Sequence, residues 1–200
     1  MGACSADAPA SSFAATAPDT ASSDVASADV QARDTAQEPT NRVEPDDSLI
    51  TPDGWGPLRI GMSRAELVAA AGEDANPDAV GGPDPEQCDE FRPASAPAGM
   101  LVMIEDGVLT RISVNRSRDI RTPEGFGVGD AGADVIAAYG SRAHVEPHQY
   151  QESPAKYITV WRDDATATDR RGIRYEVNST GTVMHVRAGG PAIEYVEGCI

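Results

Sequence analysis

The alternation of apolar and polar side chains predicts that the second half of the chain is rich in β-strands. Over residues 173–177, isoleucine, tyrosine and valine alternate with arginine and glutamate, which is the period-two pattern of a strand with one buried face. Two apolar runs joined by the turn sequence Asp106-Gly107 predict a β-hairpin over residues 100–114. The same signals predict further strands at residues 88–92, 157–161, 182–186 and 193–196.

Two short helices are predicted among these strands. Ser63 precedes an apolar stripe at helical spacing and has Glu66 three residues later, which is the pattern of a capping box, and Gly72 ends the helix. In the second segment Asp130 is the expected N-cap and Gly140 the expected end. Because isolated helices of about ten residues are unstable, both are expected to pack on a sheet.

A similar sequence motif precedes both helical segments, which indicates an internal duplication. Residues 51–56 read TPDGWG and residues 122–127 read TPEGFG, and glycines align at one common offset after each phrase. A period of about 70 residues with this element order predicts an α+β fold. The expected architecture is two tandem repeats, each a short helix followed by an antiparallel β-sheet, with boundaries at 49–120 and 121–200.

Residues 1–48 differ from the rest of the chain in composition. They are mostly alanine, serine, threonine, aspartate and proline, so they cannot bury enough apolar surface to offset chain entropy, and a disordered tether is expected. The whole chain has a net charge of -16. Such a charge repels nucleic acid and anionic lipid headgroups, so neither is an expected partner of the protein surface. A high net charge ordinarily keeps a protein soluble.

The first residues, Met1-Gly2-Ala3-Cys4-Ser5, resemble the end of a bacterial lipobox. The resemblance implies export behind a signal peptide and acylation of Cys4, for example with palmitate, so that a lipid anchor is the chain's only membrane contact. A residue other than aspartate follows Cys4, which resembles the pattern that sorts lipoproteins to the outer membrane. The alternative is an ordinary tail with an incidental cysteine.

Cys88 and Cys199 remain as a pair once Cys4 is assigned to a lipid. In an exported protein an even pair of cysteines predicts a disulfide, which here would tie the end of the chain to its middle. A catalytic thiol is the competing interpretation, but no Cys/His arrangement accompanies either residue.

The phrase Leu58-Arg59-Ile60-Gly61-Met62-Ser63, followed by a short glycine-terminated helix, resembles the modules of BamE/SmpA-type outer-membrane lipoproteins. Two such modules in tandem resemble the β-lactamase inhibitory protein fold. The resemblance covers roughly residues 54–200. It implies a small, non-catalytic, exported module that presents a concave sheet to another protein, with no cofactor.

Candidate chemistry in the sequence is sparse. Residues 125–129 have G-x-G-x-G spacing rather than the dinucleotide fingerprint, so no nucleotide is expected. His144 and His148 are four residues apart, but Pro147 between them argues against a helix, and solvated histidines are expected rather than a metal site. Three aspartates share one loop without the spacing of a calcium loop, which leaves weak calcium binding open: Asp163, Asp164 and Asp169.

Binding rather than catalysis is therefore the expected function. No motif of a nucleophile elbow, zinc protease or P-loop is present. Aromatic residues dominate binding hot spots, so four of them are the candidate contacts, although some must fill the core: Trp161, Tyr157, Tyr175 and Tyr195. The expectation is an outer-membrane lipoprotein, not an enzyme, that binds another envelope protein as an assembly factor or inhibitor. A periplasmic enzyme or ligand binder with a site between the two repeats is the alternative, and a structural spacer is a third.

Overall fold

β-Strands dominate the structure, a computed structural model that describes residues 48–78, 81–162 and 169–199. The described strands are β1 (Gly54–Trp55), β2 (Leu58–Arg59), β3 (Cys88–Phe91), β4 (Met100–Glu105), β5 (Val108–Val114), β6 (His144–Pro147), β7 (Lys156–Trp161), β8 (Gly172–Val177) and β9 (Val183–Gly189). β1 and β2 form a small antiparallel pair. The other seven form one sheet, in the order β3-β4-β5-β9-β8-β7-β6, with every neighbouring pair antiparallel.

The helical elements are short. They are α1 (Arg64–Ala71), α2 (Gly132–Tyr139) and two 3-10 helices, Gly140–Arg142 and Pro191–Glu194. Within the described ranges, no helix has the length and apolar character needed to cross a bilayer.

The predicted α+β fold of two tandem repeats, each with its own sheet, is wrong. β5 pairs with β9 in the middle of the sheet, Ile112 lying opposite Ala188, so that the strands of residues 49–120 and 121–200 form a single seven-stranded sheet. The described part of the chain is mostly β. The physical reason is edge pairing: two separate sheets would expose four edge strands, whereas one merged sheet exposes only β3 and β6.

The first helix forms as the sequence predicts. The Ser63 hydroxyl accepts from the backbone N–H of Glu66 at 3.3 Å, and the Glu66 carboxylate accepts from the backbone N–H of Ser63 at 2.8 Å. Gly72 ends the helix with a φ of 85°, a conformation that glycine adopts without strain. Leu67 and Ala71 face the core, which fixes the side of the helix that packs on the sheet.

The second helix begins differently from the prediction. Its N-cap position is Ala131, without a side-chain cap, rather than Asp130. The Asp130 carboxylate instead accepts from the backbone N–H of Gly127 at 2.7 Å and from Arg121 at 2.6 Å. Asp130 therefore orders the turn that precedes the helix.

The main core lies between the helices and one face of the sheet. A cross-strand row of apolar side chains shows this face: Val102, Ile112, Ala188, Ile173 and Val160, all buried. Leu67 of α1 and Val135 of α2 are completely buried against the same cluster. Because strand side chains alternate, every second residue of these strands must point to the opposite face, and that face carries most of the buried charge.

Two elements depart from the predicted strands. Residues 193–196, predicted as a strand, fall in and after the 3-10 helix Pro191–Glu194, where Pro191 occupies a helical N-terminal position that suits its fixed φ. Conversely, residues 144–147 form the edge strand β6, which lacks a buried face and so gives no apolar alternation to detect.

The predicted disulfide between Cys88 and Cys199 is confirmed. Their Cα atoms lie 5.5 Å apart, and the bond closes a sequence separation of 111 residues. It fixes residues 190–199, hereafter the C-terminal segment, against the start of β3. Met103 and Ala192 pack beside the disulfide in a small second core.

Candidate functional site

The sheet face opposite the helices, hereafter the polar face, is lined by charged side chains that are nonetheless buried. The alternation in β8 places Ile173, Tyr175 and Val177 toward the helices and therefore Arg174 and Glu176 toward the polar face. The neighbouring strands add further polar side chains to this face: Glu90, Arg111, His185 and Arg187. Buried charges are normally paired, and the structure shows how these are paired.

Two arginines hold the C-terminal segment on the polar face. Arg111 donates to the carbonyl oxygen of Ala192 at 3.0 Å and also pairs with the carboxylate of Glu90. Arg187 donates to the carbonyl oxygen of Tyr195 at 3.1 Å. Burial lowers the pKa of both guanidinium groups; the charge of Arg187 lowers the pKa of Arg111 further, and the charge of Arg174 does the same to Arg187. The carbonyls and carboxylates around them offset that cost, so the segment and the arginines stabilise each other.

Glu176 is the centre of a second network. One carboxylate oxygen accepts from Arg187 at 2.9 Å and lies 3.0 Å from Nδ1 of His185, and the other lies 3.2 Å from Nε2 of His148. Burial by itself raises the pKa of this carboxyl. The hydrogen bond from His185, the charge of Arg187 and the contact with His148 outweigh burial and hold the pKa at about 2.

Acidification is expected to weaken the fold through Glu176. Its pKa falls from 4.5 to about 2 on folding, so it stabilises the protein above pH 4.5, and that contribution is lost as the pH falls through 2. The full contribution is on the order of 3 kcal/mol. Urea unfolding of the wild type and of Glu176→Gln between pH 6 and pH 2.5 measures it. The stability gap between the two proteins should shrink toward low pH, and a constant gap would contradict this assignment.

His148 links the Glu176 network to residues 148–155, hereafter the β6–β7 loop. Its Nδ1 accepts from the backbone N–H groups of Tyr150 and Gln151, at 3.1 and 3.2 Å. Its ring stacks on Tyr157 with centroids 4.6 Å apart. The side chain is almost completely buried, so the prediction that both His144 and His148 are solvated is wrong for His148. The tertiary fold, which carries the loop over the polar face, is the reason.

The loop and the C-terminal segment meet, and each presents an exposed tyrosine. Tyr150 is 62% exposed and Tyr195 is 43% exposed. The Tyr150 hydroxyl donates to the carboxylate of Glu197, which joins the two segments. A pocket of about 470 Å³ lies beside this junction. The residues that line it are Cys88, Glu105, Gln149, Tyr195, Val196, Glu197, Gly198 and Cys199. These residues, with Tyr150, are hereafter called the tyrosine surface.

The four predicted contact residues lie in different environments. Tyr195 lies on the tyrosine surface. Trp161 lies on the polar face with the guanidinium of Arg170 3.9 Å from its ring centroid, and it is only 9% exposed. Tyr157 is buried between the ring of His148 and the guanidinium of Arg174. Tyr175 is completely buried in the core, with its hydroxyl 3.0 Å from that of Tyr139.

Tyr150 is the exposed aromatic that the sequence reasoning missed. A signal was available, because Tyr150 stands in a polar stretch between Pro147 and Pro154, where a strand or helix is disfavoured. An aromatic side chain in such a loop is solvent-facing unless another segment covers it. That it approaches the end of the chain could not be anticipated from spacing.

The predicted lipidation residue and part of the predicted calcium loop are not among the described residues. Cys4 and residues 1–47 of the predicted tether lie outside them, as do Asp163 and Asp164. Asp169 is described and forms an ion pair with Arg171 at 3.1 Å. Among the described residues, no three histidine, cysteine, aspartate or glutamate side chains converge as metal ligands would. The expectations of no metal and no cofactor stay predictions.

Comparison with known proteins adds little to this picture. No protein-family model and no curated protein matches the chain. One similar solved structure is that of an extracellular protein containing a SCP domain from Bacillus anthracis strain Ames, with 14% identity and a TM-score of 0.39. The match covers 66% of this chain and 44% of that chain, so it spans less than half of the other protein. This likeness supports no assignment of fold or function, and the resemblance to BamE/SmpA-type and inhibitory-protein modules stays a prediction.

Proposed function

We propose that the protein is an exported, non-catalytic binding module that docks another protein of the cell envelope on its tyrosine surface. The observation that carries this proposal is the exposure of Tyr150 and Tyr195 beside one pocket. Tyrosine is enriched in binding hot spots because it offers a large apolar ring with a polar tip at low entropic cost. These two are the exposed tyrosines of the described residues.

The tyrosine surface is held in place before any partner binds. Arg111, Arg187 and the disulfide fix the segment that carries Tyr195, and His148 fixes the loop that carries Tyr150. A surface that is already ordered loses little conformational entropy on docking. This order favours a binding role for the tyrosine surface over a purely structural contact between two segments.

The charge of the tyrosine surface indicates the chemistry of the partner. Glu105 and Glu197 line the pocket, and no lysine or arginine is among the described residues that line it. The whole chain carries a net charge of -16. A partner that presents a lysine or arginine beside an apolar side chain would complement both features, and its approach would be steered electrostatically.

The position of the module in the cell forms part of the same proposal. A lipid on Cys4 and the polar tether of residues 1–48 would leave the folded part free to reach a neighbour at the outer membrane. The disulfide supports an oxidising compartment such as the periplasm or cell surface. The partner would then be an assembly complex or an enzyme that the module inhibits.

A small-molecule binder is the second candidate, since a pocket of about 160 Å³ opens beside the central β5–β9 pair. Arg111, Arg187 and His185 are among its lining residues. Both guanidinium groups, however, already donate to carboxylates and to carbonyls of the C-terminal segment. A ligand there would compete with those bonds, so protein docking is the better supported function.

Photo-crosslinking tests the docking proposal. A photo-reactive phenylalanine analogue in place of Tyr195 should capture one envelope protein from cells of the native host. The matched control places the same analogue at Val145, which is 47% exposed but lies on β6 opposite Ile158, on the helix side of the sheet. Position 195 should capture the partner and position 145 should not.

A second variant separates docking from chance proximity. Tyr150→Ala removes the neighbouring anchor, and the capture from position 195 should fall at least tenfold, the expected effect of losing a hot-spot side chain of about 2 kcal/mol. Equal capture from positions 195 and 145, or capture that Tyr150→Ala leaves unchanged, would sink the proposal.

A further inference from the structure

The hydrogen bonds of His148 identify the tautomer of its neutral ring. Nδ1 faces two backbone N–H groups, those of Tyr150 and Gln151, and can serve them only as an acceptor. The hydrogen of the neutral ring must therefore be on Nε2, which points to a carboxylate oxygen of Glu176 at 3.2 Å. In this state every polar atom of the ring has a partner, and the start of the β6–β7 loop wraps around the ring.

Protonation of His148 would break this arrangement. The added proton goes to Nδ1, which then points an N–H at two N–H groups and can no longer accept from either. The amides of Tyr150 and Gln151 would lose their acceptor in a partly buried site, where an unmade hydrogen bond costs stability. Other attachments of the loop include the Tyr150 hydroxyl on Glu197 and the Gln151 side chain, which accepts from the backbone N–H of Ser179 at 3.0 Å.

Aromatic and charged groups of three strands surround the ring. Tyr157 of β7 stacks on it, and the groups of β8 and β9 on the same face are Arg174, Glu176, His185 and Arg187. Glu176 attracts the protonated ring, but it already pairs with Arg187 and His185, and the two arginines repel a further positive charge. Charges of both signs therefore face the ring, and histidine is the side chain that proteins most often use as a pH switch.

We propose that acidification releases the β6–β7 loop through His148 and so disassembles the tyrosine surface. The loop carries Gln149, which lines the pocket, and Tyr150, which lies beside it. Release of the loop would therefore displace both residues from the docking site. This regulation rests on the proposed docking function. A module of this kind holds its partner at neutral pH and lets it go in an acidified envelope.

Amide hydrogen exchange measured by NMR on the full, disulfide-bonded chain tests the switch without any partner. The protection factors of Tyr150 and Gln151 should fall about tenfold between pH 7.5 and pH 5, the effect of losing one hydrogen bond of ordinary strength. The amide of Tyr175 in the core should keep its protection, which shows that the fold itself is intact. Unchanged protection of both loop amides would overturn the switch.

Three histidine variants identify the group responsible. His148→Asn keeps an acceptor oxygen near the position of Nδ1 but does not titrate, so its loop should show no pH response. His185→Asn removes the other histidine on Glu176, and His144→Asn removes an exposed histidine on β6, opposite Thr159. Both should keep the response. A response that survives in His148→Asn, or disappears in His185→Asn, would overturn the assignment to His148.

Crosslinking from position 195 at pH 7.5 and pH 5 then separates the two proposals. Capture at pH 7.5 that falls about tenfold at pH 5, in step with the loop amides, supports both. No specific capture at either pH, with a loop that still opens, means that the docking function is wrong and the switch is real. Equal capture at both pH values, with an opened loop, means that docking occurs and is not regulated in this way.

Discussion

Replacing both Cys88 and Cys199 with serine is expected to lower the free energy of unfolding by roughly 4 to 5 kcal/mol. The disulfide closes a loop of more than a hundred residues, spanning a sequence separation of 111, so its removal restores a large conformational entropy to the unfolded chain. It also releases the C-terminal segment from β3, and with it the backbone that positions Tyr195.

Urea unfolding with and without a reductant measures this effect. The wild type should lose stability when reduced, and the double variant should be equally unstable in both conditions, because the only thiol left in it is Cys4. Hydrogen exchange should show the amides of residues 190–199 losing protection first. A stability change below about 1 kcal/mol would mean that the arginines alone hold the segment, contrary to the entropic argument.

The second large effect is expected at Arg111, whose replacement by methionine should cost about 3 to 5 kcal/mol of stability. Arg111 is 3% exposed and donates to the carboxylate of Glu90 and to the carbonyl oxygen of Ala192. Methionine preserves much of the volume but leaves the partly buried Glu90 carboxylate without its arginine, and the carbonyl oxygen of Ala192 with only the backbone N–H of Tyr195. The cost of a carboxylate left without its partner exceeds the net contribution of the pair itself.

Arg64→Met is the matched control for Arg111→Met. Arg64 also pairs with a carboxylate, that of Asp89 at 2.5 Å, but its side chain is 42% exposed. Exposed pairs contribute about 1 kcal/mol or less, so this variant should be nearly neutral. Combining Arg111→Met with Glu90→Leu should recover part of the loss, because no unpaired charge then remains. Equal losses of unfolding free energy in the two single variants would show that the burial of Arg111 does not determine its contribution to stability.

Interactions between residues close in sequence were predictable. The capping box of Ser63 and Glu66 and the hairpin around Asp106-Gly107 both depend on a few neighbouring side chains, and both are present. Asp106 and Gly107 adopt φ angles of 49° and 80°, which is the left-handed geometry that an Asp-Gly turn of this type requires. Local chemistry leaves few alternatives at such positions.

The candidate site was only partly predictable. Tyr195 was singled out by residue type and is exposed, whereas Tyr175, chosen on the same ground, fills the core. Residue type alone does not separate these cases, because an aromatic ring suits a core and an interface equally well. Tyr150 was missed, and His148 was named but expected to be solvated. Both roles depend on contacts between segments far apart in sequence: Tyr150 contacts Glu197, and His148 contacts Glu176.

The sequence by itself determined the strands with clear alternation, the first helix with its cap, and the cysteine pair, since each depends on periodicity, local hydrogen bonding or cysteine count. Only the tertiary structure decided that β5 pairs with β9, which turns two expected sheets into one. The repeated phrase could not reveal this, because strand pairing satisfies backbone groups that every residue carries and no side-chain pattern specifies which edges meet. The polar face followed from that same pairing. Once the seven strands joined, their alternation brought Arg111, Arg187 and Glu176 together, and the end of the chain closed over them.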